Sequence, residues 1–264
     1  MKPDLKLVAP PLAAPAIAVT NFSAAYGDVS VIKDISLTVP ARSVTCLLGP
    51  SGSGKSTLIR SLNRINDDLA GFSTQGDIHI DGECCRTGFT DVTRLRAKVG
   101  MVFQTPCVFP GSIAANVLFG VKAKKLSKIE KAQIVEKSLR AAALWSDVSH
   151  RLTASAATLS VGQQQRLCIA RALAVTPDIL LLDEPTASVD PVSAREIETL
   201  IKTLSDDYTI IMVTHDVRQA GRIADHAIFL CDGEIIEQGP RAHMFSKSAL
   251  PKTRTYLLEE FCDC

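Results

Sequence analysis

The sequence predicts an α/β fold built on a mainly parallel sheet, and three observations support this prediction. Short apolar segments end at a glycine or a carboxylate, as in VTCLLG at residues 44–49 and ILLLD at Ile179–Asp183. Segments with helical spacing lie between them, for example near Pro191–Leu204. Strand and helix patterns therefore alternate along the chain, which is typical of parallel sheets whose connections are helices.

The first elements follow from local patterns. A buried strand is predicted at residues 44–49, and a helix at residues 55–66 follows its glycine-rich turn. Residues 127–144 predict an amphipathic helix, because Ile, Val, Leu and Ala recur at helical spacing between lysines and glutamates. Ser127 followed by Glu130 has the spacing of a capping box, so this helix should begin at Ser127.

Further strands complete the predicted sheet. MVF at residues 101–103 and TIIMVTH at residues 209–215 are short apolar runs that favour buried strands. Two segments in which polar and apolar residues alternate, at residues 17–39 and 227–238, flank this core. DGEIIEQG at residues 232–239 predicts one arm of a hairpin.

Composition indicates an ordinary globular protein. The chain has 264 residues, of which 46% are hydrophobic and 22% charged, and its formal net charge is +1. This length corresponds to about one or two domains. The charge balance gives no indication of a nucleic-acid partner. No apolar run reaches the roughly 18 residues that a membrane-spanning helix requires.

The N-terminal residues 1–16 are interpreted as a mobile leader. A signal peptide is the alternative, because the segment is largely apolar. Asp4, Pro10, Pro11 and Pro15 interrupt any continuous apolar helix, which favours the leader.

The eight cysteines do not form a recognisable framework. Cys46 and Cys168 fall within predicted core elements, and the spacing of the eight matches no zinc site. Cys262 and Cys264 at the end of the chain could bind a metal, although a frayed tail is favoured. A reducing cytosol is the simplest compartment for such a chain.

The segment GPSGSGKST has the spacing of a phosphate-binding loop and follows a predicted strand. Its residues are Gly49, Pro50, Ser51, Gly52, Ser53, Gly54, Lys55, Ser56 and Thr57. Glycines let the backbone approach phosphate oxygens, and the following helix N-terminus favours their negative charge. Lys55 is predicted to bridge the terminal phosphates, and the Ser56 hydroxyl is predicted to ligate Mg²⁺. A plain glycine-rich surface turn is the disfavoured alternative.

Three further residues are predicted to lie at the carboxyl edge of the sheet, where α/β proteins bind ligands. Asp183 ends an apolar strand and is predicted to hold the metal, through water. Glu184 follows it and is predicted to polarise the attacking water. His215 ends the next apolar segment and is predicted to contact the γ-phosphate or that water. Each of these residues alone would favour a structural role. The predicted phosphate loop at the same edge favours the catalytic interpretation instead.

These motifs, taken in order, resemble the ATP-binding-cassette (ABC) ATPases. The matching features are the segments at residues 49–57, 159–163 and 179–184, together with Gln104, Asp190 and His215. The resemblance covers residue 17 to the end of the chain. It implies a P-loop NTPase core with a mainly parallel sheet, an antiparallel β subdomain, and a helical subdomain at roughly residues 105–175. It also implies that ATP and Mg²⁺ are the cofactors.

The resemblance implies roles for residues outside the phosphate loop. Tyr26 is similar to the aromatic residue that stacks on adenine. Gln104 is similar to a residue that contacts Mg²⁺ and senses the neighbouring membrane subunit. Asp190 is similar to an aspartate that communicates between two ATP sites.

The segment LSVGQQQR would otherwise be read as a polar surface tract, and it resembles the family signature. The resemblance implies that Ser160, Gly162 and Gln163 start a helix whose N-terminus completes the ATP site of a second copy. Val161 replaces the more usual glycine. A valine at positive φ would be strained, and we expect it to be tolerated because Gly162 remains.

Longer segments resemble the ATP-binding subunits of bacterial phosphate importers. These are residues 61–67, 100–120, 162–191 and 252–261. The TPCV sequence at residues 105–108 departs from that pattern in a loop expected to meet the membrane partner.

The resemblance implies a homodimer that works with two transmembrane permease subunits and an extracytoplasmic substrate-binding protein, without nucleic acid. The chain would be an ATPase attached peripherally to the cytoplasmic face of the inner or plasma membrane. The alternatives are an importer of another solute, such as an amino acid, and a soluble ABC ATPase outside transport.

Overall fold

The computed structural model describes residues 15–89, 91–121, 125–246 and 249–262. Almost all of the predicted leader and Cys264 therefore lie outside the described residues. The strands are β1 (Ile17–Tyr26), β2 (Val29–Val39), β3 (Val44–Leu48), β4 (Phe72–Ile80), β5 (Glu83–Cys84), β6 (Val99–Val102), β7 (Ile179–Asp183), β8 (Thr209–Val213), β9 (His226–Cys231) and β10 (Glu234–Pro240). The helices are α1 (Lys55–Ser61), α2 (Val92–Lys98), α3 (Ile113–Val117), α4 (Lys128–Ala141), α5 (Trp145–Val148), α6 (Val161–Leu173), α7 (Pro191–Leu204), α8 (Val217–Ile223), α9 (Arg241–Met244) and α10 (Pro251–Cys262).

The larger sheet has the strand order β10-β9-β3-β8-β7-β6. Four of its five strand pairings are parallel, and the fifth is an antiparallel hairpin of β9 and β10 at one edge. Because β3, β7 and β8 are neighbours and run the same way, the loops that follow them meet at one edge. The expected α/β fold with a mainly parallel sheet is therefore confirmed.

A second, antiparallel sheet has the order β2-β1-β4-β5. It packs over α1 and one face of the larger sheet, and Ile17, Ile32 and Ile80 lie fully buried between them. The other face of the larger sheet carries α6, α7 and α8. Side chains of β3 alternate between the two cores: Cys46 faces the helices and Leu47 faces the antiparallel sheet.

Helices fill the chain between β6 and β7. They include α3, α4, α5 and α6, and α4 begins at the capping box predicted from Ser127 and Glu130. The side chain of Ser127 accepts from the Glu130 N–H, and the Glu130 carboxylate accepts from the Ser127 N–H at 2.7 Å. These reciprocal bonds satisfy two N–H groups that a helix start leaves without partners.

The first helix is shorter than the predicted span of residues 55–66, because α1 ends at Ser61. Arg64 adopts a left-handed conformation with φ of 60°, which a continuing helix excludes. The Asn66 side chain then donates to the Thr57 carbonyl at 2.9 Å and holds the returning chain against α1.

The segment at residues 227–238 also differs from its prediction as a flanking element. Strand β9 is buried from Ala227 to Cys231 and pairs in parallel with β3, so it belongs to the central sheet. Only β10 has the mixed exposure that the alternating pattern indicated. Among the described helices, none is both long and apolar enough to cross a bilayer.

Candidate active site

The glycine-rich loop at residues 49–57 connects β3 to α1. Gly49 leaves the strand at φ of 148°, and any Cβ there would overlap the Leu230 carbonyl oxygen. Gly54 has φ of 101° and forms the N-cap of α1. These two positions require glycine, and together they wrap the backbone around the helix N-terminus, where an anion is favoured.

Lys55 lies buried beneath this loop. Its ammonium donates to the carbonyl oxygens of Gly49 at 2.7 Å and Pro50 at 2.8 Å. Ser51 and Gly52 are exposed, whereas the Ser53 hydroxyl is buried and makes no hydrogen bond to the described residues. A buried hydroxyl without a partner is costly, so the loop fits an additional ligand rich in oxygen atoms.

The residues predicted to bind Mg²⁺ meet at the start of α1. The Ser56 hydroxyl donates to Asp183 Oδ1 at 3.1 Å, and Arg60 contacts Asp183 Oδ2 at 2.9 Å. The Asp183 side chain is only 3% exposed, so Arg60 balances a buried negative charge. Arg60 was not among the predicted site residues, although its position one helical turn after Ser56 is a usable signal.

Glu184 turns away from the buried Asp183 and forms a second cluster. Its backbone has φ of 46°, and its Oε2 atom accepts a hydrogen bond from Gln104 Nε2 at 3.3 Å. His215 Nδ1 lies 3.1 Å from the same carboxylate oxygen. Strands β6, β7 and β8 therefore deliver Gln104, Glu184 and His215 to one point on the sheet edge.

The oxygen donors at this edge fit a hydrated Mg²⁺ ion. Within the described ranges, no group of three His, Cys, Asp or Glu side chains is arranged to hold a metal. The Ser56 hydroxyl and the Asp183 carboxylate supply hard oxygen ligands. The side-chain amide of Gln104 is hydrogen-bonded to Glu184, the residue after Asp183. Mg²⁺ commonly uses one or two protein oxygens and takes the rest from water and nucleotide phosphates.

The signature segment forms the exposed N-terminus of α6. Ser160 is the N-cap: its hydroxyl accepts from the Gln163 N–H at 3.3 Å, and Gln163 Oε1 accepts from the Ser160 N–H at 3.2 Å. Val161 is the first helical residue and is absent from the residues with positive φ. The valine is therefore unstrained because its own backbone is helical, and its tolerance does not depend on Gly162.

Gly162 packs directly against α7. A Cβ at Gly162 would lie 2.5 Å from Ser193 Oγ, so the two helix starts touch through this glycine. Asp190 caps α7: its carboxylate accepts from the N–H groups of Val192 and Ser193, each at 3.0 Å, and from the Ser193 hydroxyl at 2.6 Å. The Ser193 hydroxyl and N–H hold the pKa of the Asp190 carboxyl below its ordinary value.

Tyr26 ends β1, and its ring centroid lies 5.1 Å from that of Phe72. Of the residues predicted to form one site, the structure brings together those of the phosphate loop, Asp183, Glu184, Gln104 and His215. Ser160, Gly162 and Gln163 lie on a different helix. Among the described residues, no hydrogen bond joins those three to the phosphate loop.

Comparisons with known proteins agree with this arrangement. A family model described as ABC transporter matches residues 32–187. The Phosphate import ATP-binding protein PstB of Thermotoga maritima is 48% identical over 248 residues, which cover 94% of this chain and 97% of that protein.

Solved structures with the same fold include cbiO1 from Clostridium perfringens, part of the ABC transporter complex cbiONQ. It has a TM-score of 0.78 at 29% identity, covering 94% of this chain and 100% of that chain. A bacterial Atm1-family ABC exporter with ATP bound also has a TM-score of 0.78, at 27% identity. That comparison covers 97% of this chain and 44% of the exporter chain.

Proposed function

We propose that this chain, which belongs to the ABC transporter family, is the ATP-hydrolysing subunit of an importer and that the imported solute is inorganic phosphate. The single observation that carries the ATPase chemistry is the convergence of Gln104, Glu184 and His215 beside the Ser56–Asp183 pair. The solute is suggested by the 48% identity to the phosphate import protein over nearly its whole length.

In the proposed site, this chain's residues divide the work between two clusters. Lys55 exchanges its bonds to the Gly49 and Pro50 carbonyls for the terminal phosphates of ATP. Ser56 and Asp183 would hold Mg²⁺, which would supply charge neutralisation for phosphoryl transfer. Tyr26 offers an aromatic face to the adenine ring.

The second cluster prepares the attacking water. Glu184 accepts a hydrogen bond from that water and orients it toward the γ-phosphate, while His215 holds the Glu184 carboxylate and contacts the phosphate. Gln104 donates to Glu184 and would also contact the metal, which links this cluster to the loop that follows β6.

A second copy of the chain completes the proposed site. The Ser160 hydroxyl already accepts a bond from Gln163, which leaves its hydrogen free to donate to a phosphate oxygen. Ser160 and the N-terminus of α6 are exposed, so they suit the nucleotide held by Lys55 of the opposite copy. ATP then joins two copies, with Asp190 near the boundary between the two sites.

An apolar surface in the segment that follows Gln104 along the chain suits the permease subunits. The rings of Phe109 and Phe119 stack with centroids 4.0 Å apart, and Phe119 is 65% exposed. The Asn116 side chain holds the backbone of Phe109 with two hydrogen bonds. Its Oδ1 atom accepts from the Phe109 N–H at 2.8 Å, and its Nδ2 atom donates to the Phe109 carbonyl at 3.0 Å. A partner bound here would place the chain at the cytoplasmic face of the membrane, with an extracytoplasmic protein delivering the solute.

Uptake of labelled phosphate tests the whole proposal. Cells that lack this gene should take up phosphate more slowly, and the intact gene should restore uptake while Glu184→Gln should not. Normal phosphate uptake without the gene would refute phosphate as the solute. Labelled amino acids in the same cells test the alternative importer, and hydrolysis by the purified chain tests the ATPase separately.

A further inference from the structure

A buried glutamine on α8 joins the two loops that carry Glu184 and His215. Gln219 is 2% exposed, and its Oε1 atom accepts from the Thr214 hydroxyl at 2.9 Å. Its Nε2 atom donates to the Thr186 hydroxyl at 2.9 Å. Thr214 directly precedes His215, and Thr186 lies two residues after Glu184. One amide group therefore bridges both loops.

The orientation of this amide is determined by its surroundings. Gln219 Nε2 also donates to Glu198 Oε1 at 3.1 Å, and a carboxylate accepts only donors. Arg222 binds the same carboxylate at 2.9 and 2.6 Å, which keeps it ionised and in place. Burial opposes the ionisation of Glu198, but the bonds from Arg222 and Gln219 outweigh burial and lower the Glu198 pKa. Asp216 anchors the backbone by accepting from the Gln219 N–H at 2.8 Å.

We propose that Gln219 is a positioning residue for ATP hydrolysis, which sets the distance between Glu184 and His215. The inference rests on the proposed ATPase chemistry of those two side chains. Their 3.1 Å contact joins two separate loops, so it depends on how the loops are placed relative to each other. The buried amide of Gln219, which packs between α7 and α8, is hydrogen-bonded to both loops. A displacement of about 1 Å in such a pair lowers turnover by about 100-fold.

Gln219→Leu removes the bridge while keeping a side chain of similar size. For the purified full-length chain, kcat for ATP should fall about 10- to 100-fold while KM changes little, because the nucleotide contacts are elsewhere. Ser205→Ala is the matched control: Ser205 is the buried C-cap residue of α7, the helix of Glu198, and its hydroxyl donates to the Lys202 carbonyl at 2.7 Å. It should lower the melting temperature and leave kcat unchanged.

Gln219→Glu gives a second, independent readout. It places a carboxylate against Glu198, so the bridge should open at neutral pH. At lower pH the pair shares one proton, and the new O–H can donate to Glu198 as the amide did. The kcat of this variant, relative to the parent chain, should therefore rise as the pH falls. Besides Glu184 and His215, the charged groups lining the same cleft are Arg195, Glu198, Asp216, Arg218 and Arg222.

The outcomes separate this inference from the proposed function. A parent chain that does not hydrolyse ATP overturns both. If the parent chain is active, three results overturn only the role of Gln219: unchanged kcat in Gln219→Leu, an equal loss of kcat in Ser205→Ala, or a Gln219→Glu pH profile parallel to that of the parent. Should Gln219→Leu fail to fold, the pH profile of Gln219→Glu still decides.

Discussion

Replacing Gly162 by alanine tests whether the contact between α6 and α7 aligns the signature helix. The added Cβ would lie 2.5 Å from Ser193 Oγ and 2.6 Å from Ser193 Cβ. Ordinary van der Waals contacts lie at 3.4–4 Å, so the two helix starts must separate by about 1 Å. The tip of α6, with Ser160, moves with them.

The expected energies follow from that overlap. Forcing a methyl group into a packed contact costs about 1–3 kcal/mol. Alanine recovers about 1 kcal/mol relative to glycine in a helix. The net destabilisation is therefore about 0–2 kcal/mol, which lowers the melting temperature by at most about 8 °C for a chain of this size. The effect on turnover should be larger than this small loss of stability explains. We expect about a 100-fold decrease, because a shift of about 1 Å misplaces the groups that complete the site.

ATPase assays and thermal unfolding of the full-length chain measure both effects. Gly162→Ala combined with Ser193→Gly removes both overlapping atoms and should recover most of the turnover. Ser193→Gly alone controls for the lost hydroxyl bond to Asp190. Parent-like turnover in Gly162→Ala would refute the reasoning. So would a double variant as inactive as Gly162→Ala while Ser193→Gly stays active.

Four other expectations follow from the site and its surroundings. Lys55→Ala should abolish ATP binding in calorimetric titration, and unchanged affinity would contradict the phosphate loop. Glu184→Gln should accumulate an ATP-bound dimer, and a monomer by light scattering at saturating ATP would count against the two-copy site. Phe119→Ser should keep ATPase activity and lose co-purification with permease subunits; retained permeases would exclude that surface. Burial opposes ionisation of Asp225, but bonds from Lys202 and a backbone N–H outweigh it and lower the Asp225 pKa. Its stabilising effect is therefore present above the unfolded pKa of about 3.9 and lost as the pH falls through the folded value, so Asp225→Asn should lower the melting temperature at pH 7 more than at pH 3. Equal losses at both pH values would disprove this.

Local patterns predicted much of the fold because its elements carry their own signals. Helix α7 has the predicted bounds, and the capping box at Ser127 starts α4 where the spacing of Ser and Glu indicated. Strand β9 was misjudged because burial on both faces comes from its pairing with β3, which no local pattern contains. The end of α1 was misjudged because Asn66 holds the returning chain through a tertiary hydrogen bond.

The candidate site divides in the same way. Glycine, lysine and carboxylate positions were visible because their chemistry requires particular residues at particular spacings. Arg60 and Gln219 were missed because each acts through partners more than 30 residues apart in the chain, at Asp183 and Thr186. The roles proposed for the site residues stay predictions, whereas their convergence at one sheet edge is a property of the fold.

The reciprocal bonds at the start of α6 have a consequence for assembly. Because Ser160 and Gln163 satisfy each other's N–H groups within one polypeptide, the helix tip is already ordered before a second copy arrives. Binding of a second copy would therefore cost little conformational entropy at this tip, because the tip is already ordered in the folded chain. In the two-copy assembly proposed above, a pre-organised tip would leave nucleotide occupancy, rather than refolding of the contact surface, to govern whether two copies stay joined.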